Sequence, residues 1–290
     1  MKSFPEIFSK EKKVLSFEFF PPKKAEKLDS TKSLIRLLSE YNPDFMTVTY
    51  GAGGGTRDFT KDLVTYIAQE LNKTAVSHLT CVGHQLEEIR EIVGRLKADG
   101  IRNILALRGD APVGQAESDK VDSLDCARDL VTFLQEEGGL SLAVAGYPEV
   151  HSDAVSQEED LKYLFSKQEA GATLIITQLF FDSSHYFDFV EKAKNFGITI
   201  PIMPGLMPIS NVQQVQKFTN MCGATIPADL LSSLKQVETD SVAVGEIGIN
   251  HTIKQVDELL NGGAPGIHFY TLNKSPQIQD ILAKTSRHFN

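Results

Sequence analysis

The sequence predicts an α/β fold and, within that class, a (β/α)8 TIM barrel. Three observations carry this. Eight short, apolar, β-rich segments recur along the chain, and amphipathic helical stretches lie between them. The length of 290 residues is close to the roughly 250 residues of such barrels. An open doubly wound sheet, usually of about five or six strands, ranks second.

The strands are expected at 14–20, 45–50, 75–80, 103–107, 141–145, 174–178, 200–203 and 266–271. The helices are expected at 30–40, 56–71, 86–99, 124–135, 157–170, 185–195 and 212–221. Each places apolar residues three or four apart, as Leu34, Leu37 and Leu38 do in the first. Gly171, Gly197 and Gly223 supply C-terminal stops. A longer helical region, 228–261, ends at Gly262–Gly263 and holds a short extra helix before the last barrel helix. No linker or shift of composition divides the chain, so residues 1–290 read as a single domain. The polar stretch 112–122 lacks periodicity and reads as a mobile loop.

Composition excludes several classes. The chain is 41% hydrophobic and 23% charged, with 29 basic and 38 acidic residues and a net charge of −9. That argues against a nucleic-acid or anionic-membrane partner, which needs clustered cations. Cys81, Cys126 and Cys222 are scattered, with no CxxC pair, so neither a disulfide framework nor a zinc site is expected. The N-terminus lacks the apolar run of a secretion signal, and no stretch of about 18 apolar residues occurs. A cytoplasmic protein with no metal is the expectation.

Barrel active sites lie where the strands end, so the polar residues there are the candidates. The first strand ends Ser16-Phe17-Glu18-Phe19-Phe20, and alternation puts Ser16, Glu18 and Phe20 on one face. A partly desolvated Glu18 suits a general acid; it equally suits the partner of a buried Arg or Lys. The second strand runs into Gly51-Ala52-Gly53-Gly54-Gly55, where backbone can approach a ligand. The third ends at His78, the fourth at Arg108-Gly109-Asp110, the fifth at Tyr147-Pro148-Glu149-Val150-His151, the sixth at Gln178 and the eighth at Tyr270. Glu, Thr, His, Asp, Tyr and Gln on one rim beside aromatic groups fit a flat heterocycle with polar edges.

The segments FEFFPP (17–22), VTYGAGG (48–54), HLTC (78–81), ALRGD (106–110), GYPEVH (146–151), TQLFFD (177–182), MPGLMPISN (203–211) and HFYTLN (268–273) resemble, in order, those of the methylenetetrahydrofolate reductase family. The resemblance implies an FAD-containing barrel. It implies reduction of 5,10-methylenetetrahydrofolate to 5-methyltetrahydrofolate by NADH or NADPH, with NADH favoured, in a ping-pong cycle that feeds methionine synthesis. Glu18 then matches the general acid that protonates toward N10 of the folate. Asp110 matches an acid near flavin and pterin, with a catalytic role. Thr49, His78, Arg108, Gly109, Asp110, Tyr147, His151, Asp160 and Lys167 match FAD contacts. Gln178 matches a pterin-binding glutamine. Gln214 and Phe218 fall on the helix where the family stacks a Phe on its substrates, and Tyr270 adds a substrate contact. Gly146 stands where many members have Ala, and Leu179 where many have Phe. The resemblance further implies a homo-oligomer and the absence of the regulatory domain of larger members. Two rivals remain: a folate-binding methyltransferase without redox chemistry, and a non-catalytic flavin-binding protein.

Overall fold

The computed structural model describes residues 1–50, 54–109 and 123–289, with backbone only at 54–56. Its strands are β1 (Val14–Phe19), β2 (Phe45–Val48), β3 (Ala75–Thr80), β4 (Asn103–Leu107), β5 (Ser141–Gly146), β6 (Leu174–Thr177), β7 (Ile202–Met203), β8 (Gly205–Leu206) and β9 (Gly266–Tyr270). All pairings are parallel, in the order β7-β6-β5-β4-β3-β2-β1-β9-β8.

β7 and β8 are two halves of one barrel strand. The sequence predicts a single strand at 200–203; instead β7 pairs with β6 and β8 pairs with β9. Pro201 and Pro204 explain the split, because neither has an N–H to give to a ladder. Their carbonyls still accept, from Ile175 N–H and His268 N–H, each at 2.9 Å. The break at Pro204 hands the strand from one neighbour to the other, and the eight-position barrel closes there.

The helices are α1 (Phe4–Phe8), α2 (Leu28–Ser39), α3 (Gly54–Thr65), α4 (Leu86–Ala98), α5 (Ala127–Glu136), α6 (Gln157–Glu169), α7 (Ser183–Phe196), α8 (Val212–Cys222), α9 (Ala228–Gln236), α10 (Ser241–Asn261) and α11 (Pro276–Thr285). Local chemistry starts and stops them. The side chains of Ser156, Asp182, Asn211 and Asp240 cap α6, α7, α8 and α10. Gly197 (φ 104°) and Gly223 (φ 74°) end α7 and α8 in the left-handed conformation. The helix expected at 56–71 ends earlier, at Thr65, and continues as a π turn, Tyr66–Glu70. The short extra helix is α9.

Two apolar layers result from strand alternation. Phe17, Phe19, Val48, Leu79 and Phe269 face outward and pack with Ile35, Leu38, Leu63 and Val93 of the helices. Val14, Phe45, Val76, Leu105, Leu174 and Met203 form a second, inner cluster with Phe4 and Ile7 of α1. α1 therefore closes the N-terminal end of the barrel. Its backbone is tied there by Phe4 N–H to Ser141 Oγ at 2.9 Å, and Asn103 Nδ2 donates to Lys2 O at 3.0 Å. Among the described residues no helix is long and apolar enough to cross a membrane.

Candidate active site

The inner layer changes character toward the C-terminal ends of the strands. Register aligns Ser16 with His268 and Glu18 with Thr47 and Tyr270, so these side chains share the interior face. His78 reaches the same space from β3. Glu18, His78 and His268 are 6%, 5% and 0% exposed. Both imidazoles direct Nε2 at one oxygen of Glu18, each at 3.4 Å. The other nitrogen of His268, Nδ1, is 2.7 Å from Ser16 Oγ. Ser16, His268, Glu18 and His78 thus form a buried polar chain across the barrel.

This arrangement bears on the ion-pair reading of Glu18. Its partners are two imidazoles; among the described residues no Lys or Arg pairs with it. Its aromatic sequence neighbours Phe17 and Phe19 lie in the outer core, so the desolvating wall expected from them is supplied by histidines and Tyr270 instead. Burial drives the His78 imidazole down to about 4, against the opposing pull of the Glu18 carboxylate. His78 is therefore neutral near pH 7. Its Nε2, close to Glu18 but outside hydrogen-bond geometry, is buried without a hydrogen-bond partner, as is Thr47 Oγ1.

Tyr270 completes the wall. It meets His268 edge-to-face at 5.1 Å and donates its hydroxyl to Thr177 O at 2.6 Å. Burial, then Glu18, Tyr147 and Cys222, hold that hydroxyl well above its ordinary range. Gly205 has no room for a side chain here, since a Cβ would fall 2.6 Å from the Tyr270 ring and onto Thr177 O. Gln178 is half-buried, and its Oε1 accepts from Leu179 N–H at 2.8 Å, which orients the amide.

A second group lies around the end of β5. Tyr147 packs edge-to-face on His151 at 4.4 Å. His151 N–H donates to the buried Asp160 carboxylate at 3.1 Å. Burial pushes the Asp160 carboxyl up. Lys167, seven residues further along α6 and only 4% exposed, donates to Ala145 O at 2.8 Å. Burial lowers its ammonium to about 8, with Asp160 opposing. Thr49 N–H donates to Phe19 O at 2.9 Å just beyond β2. Arg108 is exposed. Gly109 has φ 82°, and a Cβ there would meet Thr80 Cβ at 2.7 Å. Gln214 and Phe218 are half-buried on α8. Asp110 and the loop 112–122 lie outside the described residues.

Sequence reasoning did not single out His268 or Ser16. A signal existed: His268 stands two residues before Tyr270, hence on the same inward face, and Ser16 two before Glu18. Among the described residues no group of three or more His, Cys, Asp or Glu could hold a metal ion. A cleft of about 270 Å³ lies elsewhere, between α3 and α4, lined by Arg57, His84, Glu88 and Arg95 among others. It is on the outside of the barrel and touches none of the buried chain from Ser16 to His78, so the mouth is the better site on chemistry.

Known proteins match the chain over nearly its whole length. Residues 3–286 match the family model described as methylenetetrahydrofolate reductase. The 5,10-methylenetetrahydrofolate reductase of Escherichia coli (strain K12) is 38% identical over 261 residues, covering 90% of this chain and 86% of the relative. The probable methylenetetrahydrofolate reductase (NADH) of Oryza sativa subsp. japonica is 37% identical over 93% of this chain. The chain spans about half of that plant protein, 47% of its length. In fold alone, the chain is similar to an uncharacterized protein from Clostridium thermocellum that binds two copies of 5-methyl-5,6,7,8-tetrahydrofolic acid, with TM-score 0.65, 17% identity and 98% of each chain covered. With this match over nearly its whole length, the chain belongs to the methylenetetrahydrofolate reductase family.

Proposed function

We propose that the chain reduces 5,10-methylenetetrahydrofolate to 5-methyltetrahydrofolate with NAD(P)H, NADH preferred, through bound FAD in a ping-pong cycle whose product feeds methionine synthesis. The observation that carries this is Glu18: a buried carboxyl at the barrel mouth, set between two imidazoles and without a cationic partner among the described residues. The NADH named for the plant relatives supports the choice of reductant.

The residues present fit FAD. His78 Nε2 and Thr47 Oγ1 are buried without hydrogen bonds at the mouth, as a polar ring edge would require. Lys167 is a buried amine whose charge lacks an ion-pair partner within 4 Å among the described residues, which suits a pyrophosphate. His78, Thr49, Arg108, Gly109, Tyr147, His151, Asp160 and Lys167, together with Asp110, would hold the cofactor.

FAD, when bound, supplies the hydride chemistry. The chain's own residues do the rest. A hydride acceptor must be electrophilic, so the folate amine that leaves needs a proton. Glu18 holds that proton at its carboxyl oxygen and delivers it toward N10. His268 Nε2, 3.4 Å away, can return one, and Ser16 fixes the ring that carries it. Gln178 would bind the pterin edge, while Tyr270, Gln214 and Phe218 form the walls that orient the substrates and exclude water.

Anaerobic half-reactions test the proposal. Purified protein should absorb as a flavoprotein, be bleached by NADH, and be reoxidised by methylenetetrahydrofolate. A colourless protein that takes up no added FAD would overturn it, and a flavoprotein inert to the folate would favour a binding role.

A further inference from the structure

The motif at the end of β5 contains one acid that the proposed chemistry leaves unused, Glu149. Its side chain is only 11% exposed, and its carboxylate reaches 76 residues along the chain. Thr225 N–H donates to both oxygens, at 3.1 and 3.0 Å, and the Thr225 hydroxyl donates to Oε2 at 2.5 Å. His185 Nε2 stands 3.7 Å from the same oxygen. Thr225 lies in the short linker between α8 and α9, just past the Gly223 cap.

The loop bearing Glu149 is held under strain. Val150 has φ 70°, a conformation that a β-branched residue adopts only when its surroundings enforce it. Two ties flank it: Glu149 to Thr225 on one side, and His151 N–H to Asp160 on the other. On the far side of the Thr225 tie, α8 belongs to a small separate apolar cluster with Leu179, Met207, Ile209 and Leu230, not to the main core. Phe218 is only partly buried in that cluster. The packing that fixes the height of α8 is thus modest, and its C-terminal end is pinned to the β5 loop by one carboxylate.

We propose that Glu149 is a positioning residue: through Thr225 it sets the C-terminal end of α8, and with it Phe218 and Gln214, relative to the loop that carries Tyr147 and His151. The inference rests on the flavin-and-folate reading of the site. One pocket that takes nicotinamide and pterin in turn must keep its substrate-facing helix in register with its cofactor-facing loop. A carboxylate that accepts both an N–H and an O–H from one residue fixes distance and direction together. The Cys222 thiol, at the end of α8, is pushed up by burial with Glu149 adding to it, which places the acid's charge against that helix end.

The test compares Glu149→Ala, Glu149→Gln and Thr225→Val. Glu149→Ala should speed hydrogen exchange of the Thr225 amide and raise KM for both substrates. Reduction and reoxidation of the flavin should each slow by roughly 10- to 100-fold, the scale on which misplacement of about an ångström acts. The affinity of apoprotein for FAD should change less than threefold, because Tyr147, His151 and Lys167 remain. Glu149→Gln keeps an acceptor for the N–H and should recover part of the loss. Thr225→Val removes only the hydroxyl bond and should give the mildest defect, so it reports even if Glu149→Ala folds poorly. Faster Thr225 exchange with unchanged KM and half-reaction rates would overturn the proposal, as would loss of FAD affinity as the main effect. Failure of the flavin-and-folate reading is seen separately, as a wild-type protein that neither binds FAD nor reacts with folate.

Discussion

The two ends of the barrel interior are built from the same strands and have opposite chemistry. At the N-terminal end, Val14, Phe45, Val76, Leu105 and Met203 close around Phe4 and Ile7 of α1. At the C-terminal end, two to four residues further along the same strands, stand Ser16, Glu18, Thr47, His78 and His268, all buried. The polar side chains buried at the lower end, Asn103 and Ser141, tie the α1 segment to the barrel, so that end serves packing. The upper end buries a carboxyl and two imidazoles, and leaves His78 Nε2 and Thr47 Oγ1 without hydrogen bonds. Burial of unsatisfied polar groups costs stability, so the upper end is sustained by the lower. Separating the two contributions by substitution is the way to test that division.

The largest effect is expected at the upper end. Glu18→Gln preserves shape, FAD binding and reduction by NADH, and slows reoxidation by methylenetetrahydrofolate about 10²- to 10⁴-fold, the usual contribution of a positioned acid. Stopped-flow traces of the two half-reactions separate these outcomes, and an unchanged folate half-reaction would remove the acid assignment. Phe4→Ala should do the converse. Phe4 is fully buried and meets Phe45 edge-to-face at 5.6 Å. Its truncation should cost about 3–5 kcal/mol in urea unfolding and leave both half-reaction rates of the folded enzyme near wild type. If Phe4→Ala slowed the chemistry as Glu18→Gln does, the two ends would not be separable.

The same contrast governs what the sequence revealed. Strand parity is a local signal, so Glu18, His78, Gln178 and Tyr270 could each be placed at a strand end from neighbouring residues alone. His268 carries the same signal, two residues before Tyr270 on the inward face. Strand seven was located but not its division, since two prolines read as strand ends before they read as a handover between neighbours. α1 has five residues, too few for helical periodicity; its mark was instead the capping pair Ser3 and Glu6 with Pro5 between them. α11 was likewise unread, although Pro276 opens it. The burial of Asp160 and Lys167 leaves no local mark, because nothing in an amphipathic helix tells which lysine will be buried under a strand end. The pairing of Glu149 with Thr225 joins distant residues and has no local trace at all.

Lys167 sharpens the comparison, because it is a cost that the upper end carries until a ligand arrives. Burial holds its ammonium near 8 in the free protein. A pyrophosphate beside it favours the charged form, so binding should raise that value. Near pH 9, where the free amine is mostly neutral, FAD binding should therefore take up protons. Calorimetry in two buffers of different ionisation enthalpy measures the uptake. Lys167→Met should abolish it and weaken FAD by about 1.5–3 kcal/mol, the range for a hydrogen bond to a charged group. Proton uptake that persists in the variant would assign the site of charge elsewhere.

The smallest effect expected is a pH slope in stability from His78. Burial takes its imidazole from 6.5 to about 4 on folding. The unfolded chain then binds the proton first, so stability is lost as pH falls through 6.5, and the loss ends below about 4, where both states are protonated. From pH 7 to pH 6 the contribution is only about 0.7 kcal/mol. His84 and His251 are also lowered by burial and add to the wild-type slope, so the wild type alone cannot assign it. The informative quantity is the difference in urea midpoint between pH 7 and pH 6 for FAD-free wild type and for His78→Gln. A smaller difference in the variant places part of the cost at the upper end of the barrel. Equal differences would mean that His78 keeps its ordinary proton affinity, and that the imidazole facing Glu18 is not held neutral by burial.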